Sequence, residues 1–340
     1  MAKRPTIKDV ASAANVSMGT VSRVAANSPA VTEETRARVQ EAMRRLGYVP
    51  NIAARTMRTN STKIVGLLIP DLANTVFIQL AKAAERALHA SGYTMFLYSS
   101  ERSTQREIEF VRLASQYSMD GLIVSISDET DSSITRALAG ITRPLVLLDR
   151  DVPLTADVVF SDHAEAMRRV TSHLTELGHR HIALITAPLA IRPGRERVKG
   201  FNAALKQAGL AADEALVSHD LQTTKYGYTR TLEMLRRPNR PTAIIAGGDE
   251  IFYGVLLAVR ELNLAIPGDI SIIGADNRML ANVASPSITM IDRDMDLVGE
   301  TAVDLLVKRM TGKANAEPMQ VHLPSEVILR NSTARPRPRS

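Results

Sequence analysis

The run SMGTVSR, Ser17 to Arg23, gathers a guanidinium, three hydroxyls and a thioether around a glycine. An arginine offers the planar fork that donates two parallel hydrogen bonds, the geometry of guanine O6 and N7. Hydroxyls suit phosphate oxygens, and a methionine gives apolar contact alone, for instance to a thymine methyl. Such a set suits a helix entering a DNA groove, with Gly19 standing where a base-reading side chain is expected. Catalytic patterns are lacking. The 340 residues hold no cysteine, so there is no disulfide, thiolate metal site or cysteine nucleophile. No GxSxG, GxGxxG, Walker A or HExxH stretch occurs. GHRHI sets His179 and His181 two apart, but third and fourth metal ligands are missing, and the pair reads as structural. Neither an enzyme, a cofactor nor a metal is expected.

The elements around that run can present it. Ile7, Val10, Ala11 and Ala14 recur at i, i+3, i+4 and i+7, the stripe of an amphipathic helix. Asn15-Val16-Ser17 breaks it, with Ser17 as N-cap of a second helix that turns Val21 and Val24 inward. Two helices joined by a three-residue turn have helix-turn-helix spacing. With Ser17 as cap, Gly19 is the second helical residue, where its low propensity matters less than in mid-helix. Thr32 caps a third helix, Glu33-Glu34 and Arg44-Arg45 complement its dipole, and Gly47 ends it.

Charge follows the same division. Residues 1 to 63 carry 11 Lys+Arg against 4 Asp+Glu, which leaves 31 against 32 for the other 277 residues. A basic unit of this kind is the footprint of a domain that meets a polyanion. From Ile64 onward, apolar runs such as IVGLLI, YTMFLYS, DGLIVSI, PLVLLD, HIALIT, AIIAG and ISIIG alternate with helical patterns at 75–90, 104–116, 198–208 and 251–262. This alternation predicts an α/β region with two parallel sheets flanked by helices, whose ligands bind beyond the C-terminal strand ends. The fold class expected is an all-α helix-turn-helix domain joined to this α/β core. In between, Asn51 can cap a two-turn helix reaching Arg58, too short to be stable alone. MAKRPTIKDV lacks an apolar h-region and nowhere do 18 uncharged apolar residues run together, so a cytoplasmic protein without membrane contact is expected.

TIKDVASAANVSMGTVSRV, AARTMR, GLLIPDLANTVF, GHRHIALI, RVKGFNAAL and IPGDISIIGADN, in this order, resemble the LacI/GalR family of bacterial transcription regulators. The resemblance implies a helix-turn-helix at 1–50, a hinge helix and linker at 51–63, and at 64–329 a dimerising core of two subdomains like periplasmic sugar-binding proteins. Residues 330–340, rich in Pro and Arg, read as a disordered tail without the leucine heptads that would build a coiled coil. On this pattern Met18, Gly19 and Arg23 occupy base-reading positions, with Ser17, Thr20, Ser22, Asn27 and Arg55 at or near the backbone. Met57 takes the slot of a residue that wedges between base steps in the minor groove. Arg36, Arg38, Arg44, Arg45 and Arg58 are further phosphate candidates.

For the core, the resemblance implies a small effector between the subdomains, gripped by Arg197 and Asp276. Phe77, Asp149, Arg150, Gly248 and Met295 stand at further cleft positions. Gly248 replaces a family asparagine. With Arg150, Arg192, Arg195 and Arg197 nearby in sequence, the effector is a sugar or sugar derivative, an acidic one being an option. The expectation is a homodimeric repressor on a near-palindromic operator, its DNA affinity set by the effector. A transport binding protein or an enzyme acting on the bound ligand are the competing classes.

Overall fold

The computed structural model describes residues 5–25, 28–48 and 61–337. Two compact units divide the chain between Thr62 and Lys63. Asn27, Arg55, Met57, Arg58 and the helix expected from Asn51 lie outside the described residues.

The first unit contains α1 (Ile7–Ala14), α2 (Met18–Ala25) and α3 (Glu33–Leu46). Thr6 and Asp9 form a capping box at the start of α1. Asn15 ends it in the left-handed region at φ 51°, a conformation asparagine tolerates better than most residues. The Ser17 hydroxyl then accepts from the Thr20 amide at 3.1 Å, so the turn is closed by one cap on each side. Thr32 caps α3 and Gly47, at φ 63°, terminates it. Val10, Ala14, Val21 and Val39 are buried at the centre of a small core.

The second unit runs β1 (Ile64–Ile69), α4 (Thr75–Ala90), β2 (Thr94–Ser99), α5 (Thr104–Gln116), β3 (Gly121–Val124), α6 (Ser132–Ala139), β4 (Leu145–Leu148) and β5 (Asp157–Ser161). It continues through α7 (His163–Glu176), β6 (Ile182–Thr186), α8 (Arg192–Gln207), β7 (Val217–Ser218), α9 (Thr224–Leu235), β8 (Ala243–Gly247), α10 (Asp249–Glu261) and β9 (Ser271–Ala275). Last come α11 (Arg278–Val283), β10 (Thr289–Arg293), α12 (Met295–Met310), β11 (Gln320–Leu323) and β12 (Ser325–Ile328). Sheet orders are β11-β5-β4-β3-β1-β2 and β12-β10-β9-β8-β6-β7, the same plan twice. Central strands such as LVLL and AIIAG are buried along their whole length, as parallel strands covered on both faces must be.

The chain passes between sheets after β5, after β10 and after β11, so three neighbouring strand ends carry the connections. Helix α12, which follows a strand of the second sheet, packs on α4 of the first. Helix α8 starts at Arg192, six residues before the expected 198: Pro193 is compatible with a first turn because the missing amide needs no partner there.

The expectation of a disordered tail from 330 is corrected over 330–337. The Ser332 hydroxyl donates to Ile272 O (2.6 Å) and accepts from Thr289 N (2.8 Å), and Ser332 is fully buried. His179 Nε2 donates to Ala334 O while Nδ1 meets the Thr242 hydroxyl, each at 2.8 Å, so this histidine holds the tail against the second sheet. Ser332→Ala leaves buried backbone groups unmatched and should lower unfolding free energy by roughly 1–3 kcal/mol. Urea unfolding checks this, and a change within about 0.5 kcal/mol, the usual surface value, contradicts it.

Candidate functional site

On α2 the residues sort by face. Val21 and Val24 are buried, whereas Met18 is 47% exposed and Gly19 and Arg23 are also exposed. Gly19 and Arg23 are i and i+4, hence neighbours on the outward side. A Cβ built at Gly19 meets only the Ser17 hydroxyl, at 3.5 Å, an ordinary contact. The glycine is therefore no packing requirement, and it leaves the helix surface open one turn before Arg23. Ser17 and Thr20 hydrogen-bond each other at 3.0 Å, which makes capping part of their work. Among the phosphate candidates, Arg36 is held by Ser28 O and Glu33 and is largely buried, and Arg44 pairs with Glu41. Arg38 and Arg45 are exposed.

In the second unit the two halves bring matching aspartates together. Asp149 follows β4 and Asp276 follows β9, and both have left-handed backbones, at φ 49° and 68°. The Asp149 amide donates to Val159 O and the Asp276 amide to Ile291 O. Two residues beyond those acceptors stand Ser161 and Arg293, at the strand ends where the chain changes sheet. Asp149 accepts from Ser161 N (2.6 Å), Ser161 Oγ (3.1 Å) and Arg293 Nη1 (3.0 Å), with His163 Nε2 at 3.2 Å. Asp276 accepts from Arg293 Nε (2.7 Å) and Arg197 Nη2 (2.9 Å), and Arg197 Nη1 donates to Gly247 O (2.7 Å). The result is a buried row, Asp149, Arg293, Asp276, Arg197, running from one subdomain to the other.

Further contacts close the cleft rim. Thr75 donates to Asp249 Oδ2 through its amide (2.9 Å) and hydroxyl (2.8 Å). Arg102 pairs with Glu250. Glu129 accepts from the Arg192 amide and pairs with Arg195. Asn74, Phe77, Asp149, Arg150, Arg197 and Arg293 are among the residues around a cavity of about 50 Å³, with Met295, Ser125 and Gln222 completing much of its wall. Ligand pockets span roughly 300–1,000 Å³, so a ligand needs the rim to part or side chains to move.

Of the seven cleft residues expected, Phe77, Asp149, Arg150, Arg197 and Met295 line this cavity. Asp276 lies behind them, bonded to two arginines. Gly248 instead begins α10 at φ 151°, and a Cβ there comes within 3.2 Å of Gln222 Nε2. Backbone conformation explains glycine here, since side chains rarely adopt that φ. Arg192 lies over the Phe160 ring at 4.1 Å and Arg195 is neutralised by Glu129, so neither faces the cavity as an anion ligand must find it. Arg293, Asn74, Ser161, His163 and Gln222 join the site beyond the residues that the sequence points to. A charged residue at the C-terminal end of a strand was the available signal for Arg293.

Electrostatics follow from burial and pairing. Burial alone raises the Asp276 carboxyl, but Arg293 and Arg197 outweigh it and hold it at about 2. Burial is likewise outweighed at Asp149, by His163, Arg293 and the Ser161 amide, which keep it ionised far below the usual range. Burial drives His163 down to about 4 in spite of Asp149, so its ring is neutral at pH 7. Burial lowers Arg150 and Arg197 even with carboxylates nearby, whereas at Arg293 the two aspartates outweigh burial and raise it. Burial also raises Glu107, whose Oε2 has no hydrogen-bond partner among the described residues.

Residues 6–51 match the model of the bacterial regulatory proteins of the lacI family, and residues 171–333 match that of a periplasmic binding protein-like domain. The HTH-type transcriptional repressor PurR of Escherichia coli O139:H28 is 33% identical over 331 residues, 97% of each chain. A lac repressor dimer bound to operator and the anti-inducer ONPF is similar with a TM-score of 0.85, at 27% identity over 98% of this chain and 100% of that one. A complex of the transcriptional regulator CelR with cellobiose gives 0.74, at 30% identity over 97% and 100%.

The His163 shift has a testable sign. Its folded value lies below the ordinary 6.5, so the unfolded chain binds more protons between about 6.5 and about 4, and stability falls as pH drops through that window. From pH 7 to pH 5 this group should remove about 2 kcal/mol of unfolding free energy, most of it absent in His163→Gln. Equal pH dependence in the two proteins, measured by urea unfolding, contradicts the assignment.

Proposed function

As this chain belongs to the lacI family of bacterial regulatory proteins, we propose that α2 reads operator DNA and that an effector held in the cleft of the second unit sets operator affinity. The chain is a DNA-binding transcriptional repressor with an effector-binding core, working as a dimer on operator DNA. Its relatives are transcriptional repressors and not enzymes. Among the described residues no helix is long and apolar enough to cross a membrane.

The observation that carries the reading assignment is the division of α2 into a buried valine face and an outward face of Met18, Gly19 and Arg23. Arg23 supplies bidentate recognition of guanine, worth roughly 1–3 kcal/mol of discrimination, and Met18 supplies apolar contact. Gly19 gives no hydrogen bond, so DNA deformability carries part of the preference. Ser17, Thr20, Ser22, Asn27 and Arg55 serve phosphates and caps, and Met57 is assigned to the minor groove. One reading helix per subunit makes the operator a near-palindrome. The helix-turn-helix at 1–50, the hinge at 51–63 and the core from 64 are the working parts.

For the cleft, the walls supply Phe77 and Met295 as apolar surface and Asp149, Arg150 and Arg197 as polar groups. The effector is a sugar or sugar derivative, in keeping with the cellobiose complex of CelR. Its leverage is differential affinity for two arrangements of the subdomains, since a ligand shifts an equilibrium by no more than that difference.

Gly19→Gln tests the reading helix. Among the described residues a Cβ at this position makes only an ordinary contact, and the position is one turn from Arg23 on the outward face, so the variant should stay folded and select a different operator consensus. In vitro selection of bound DNA recovers the sequences, and an unchanged consensus shows that the position reads nothing.

A further inference from the structure

The polar atoms of the cleft are not evenly used. Both oxygens of Asp149 and both of Asp276 already accept hydrogen bonds from Ser161, Arg293 and Arg197. Donors are in surplus. Arg150 spends Nε on Ile126 O and Nη1 on Asp149 O, and among the described residues its Nη2 meets no acceptor. Arg293 spends Nε and Nη1 on the aspartates, and its Nη2 has no partner among the described residues either. Asn74 gives its carbonyl oxygen to the Val76 amide, which leaves its NH2 group. All three side chains line the cavity, Arg150 and Asn74 being 3% and 2% exposed and the Arg293 side chain 10%.

A neutral sugar hydroxyl both donates and accepts, and its preferred partners include carboxylates. Here every oxygen of Asp149 and Asp276 already holds a donor and Asp276 does not line the cavity, so the unspent charged groups around it are guanidinium N–H, with the Asn74 NH2 group beside them. Resting on the cleft assignment above, we infer that the effector is a small oxyanion, a carboxylate or phosphate borne on a sugar-like body, and that Arg293 is the residue that specifies it. The pair suits such a group because each guanidinium keeps an Nη2 with N–H to give, and charge-assisted bonds to an oxyanion are stronger than neutral ones. The electrostatics agree with this reading: Arg150 and Arg197 are cations that the nearby carboxylates do not fully compensate for burial. Arg293 also has a place in the response. It ends β10, where the chain leaves the second sheet for α12, and it is the group that ties Asp149 to Asp276. An oxyanion that engages Arg293 competes with Asp149 for it, so ligand charge acts on the strand that joins the subdomains.

The test uses the full chain and matched trios, glucose with glucuronate and glucose 6-phosphate, and ribose with ribonate and ribose 5-phosphate, with inorganic phosphate alongside. Titration calorimetry and thermal unfolding should show an anionic member binding at least about tenfold more tightly than its neutral parent. Arg293→Gln should lose that preference and Arg293→Lys should keep part of it. The acid and phosphate arms tell which oxyanion is preferred. Neutral parents binding as tightly as the anions, with Arg197→Met abolishing that binding, would overturn the oxyanion while leaving the cleft assignment intact. Anions binding with equal strength to wild type, Arg293→Gln and Arg197→Met would overturn both, since the ligand would then sit elsewhere. Wild-type protein that responds to none of the anions, inorganic phosphate included, also overturns the oxyanion, and needs no variant to fold.

Discussion

Everything about the second unit turns on placing charges where water does not reach. Asp149, Arg293, Asp276 and Arg197 form an alternating row in which each interior member has an opposite charge on both sides. Desolvating such groups costs several kcal/mol each, and good geometry with further hydrogen bonds is what repays it. The Ser161 amide and hydroxyl, the Gly247 carbonyl and His163 supply those bonds. Removing one member therefore costs far more than an exposed pair would, because its partner is left buried and uncompensated. Surface pairs of this chain, such as Lys308 with Asp304, carry no comparable weight.

The row exists because the fold is written twice. Matching strand orders place Asp149 and Asp276 at equivalent ends, each with a left-handed backbone and an amide bonded to the next strand. Left-handed non-glycine residues persist where their surroundings determine them, and both of these are held by the hydrogen bonds their carboxylates accept. At the two equivalent positions beyond, one half has Ser161 and the other Arg293. That asymmetry turns a repeated scaffold into a directional cleft: one half presents a carboxylate held by a hydroxyl, the other a cation that reaches across. A ligand entering between them meets the same residues that hold the subdomains together, and this is how occupancy and arrangement become linked.

Much of this was legible in the residues. Helix caps at Ser17, Thr32 and Gly47 and the spans 75–90 and 104–116 follow from local rules, because caps and periodicity act over a few residues. Short strands such as DVVFS, TMIDR and the two after 319 carry little local signal, since a run of four or five residues is identified by its partners in the sheet. Arg197 and Asp276 stood out through family resemblance, but nothing local says that they pair with each other or that Arg293 joins them. Those contacts span 79 and 17 residues of sequence and depend on crossovers between sheets. The tail shows the same limit: NSTARPRPRS has the composition of a disordered segment, yet one buried hydroxyl and one histidine hold its first part in place.

Asp149 and Arg293 act as one clasp between the two halves of the core. A double-mutant cycle measures this directly, with Asp149→Asn, Arg293→Gln and the double variant unfolded in urea at pH 7. A clasp of this kind gives a coupling energy above about 0.5 and up to about 3 kcal/mol, the range for residues that share a hydrogen-bonded network. Additivity within about 0.5 kcal/mol, as for distant independent sites, would contradict it.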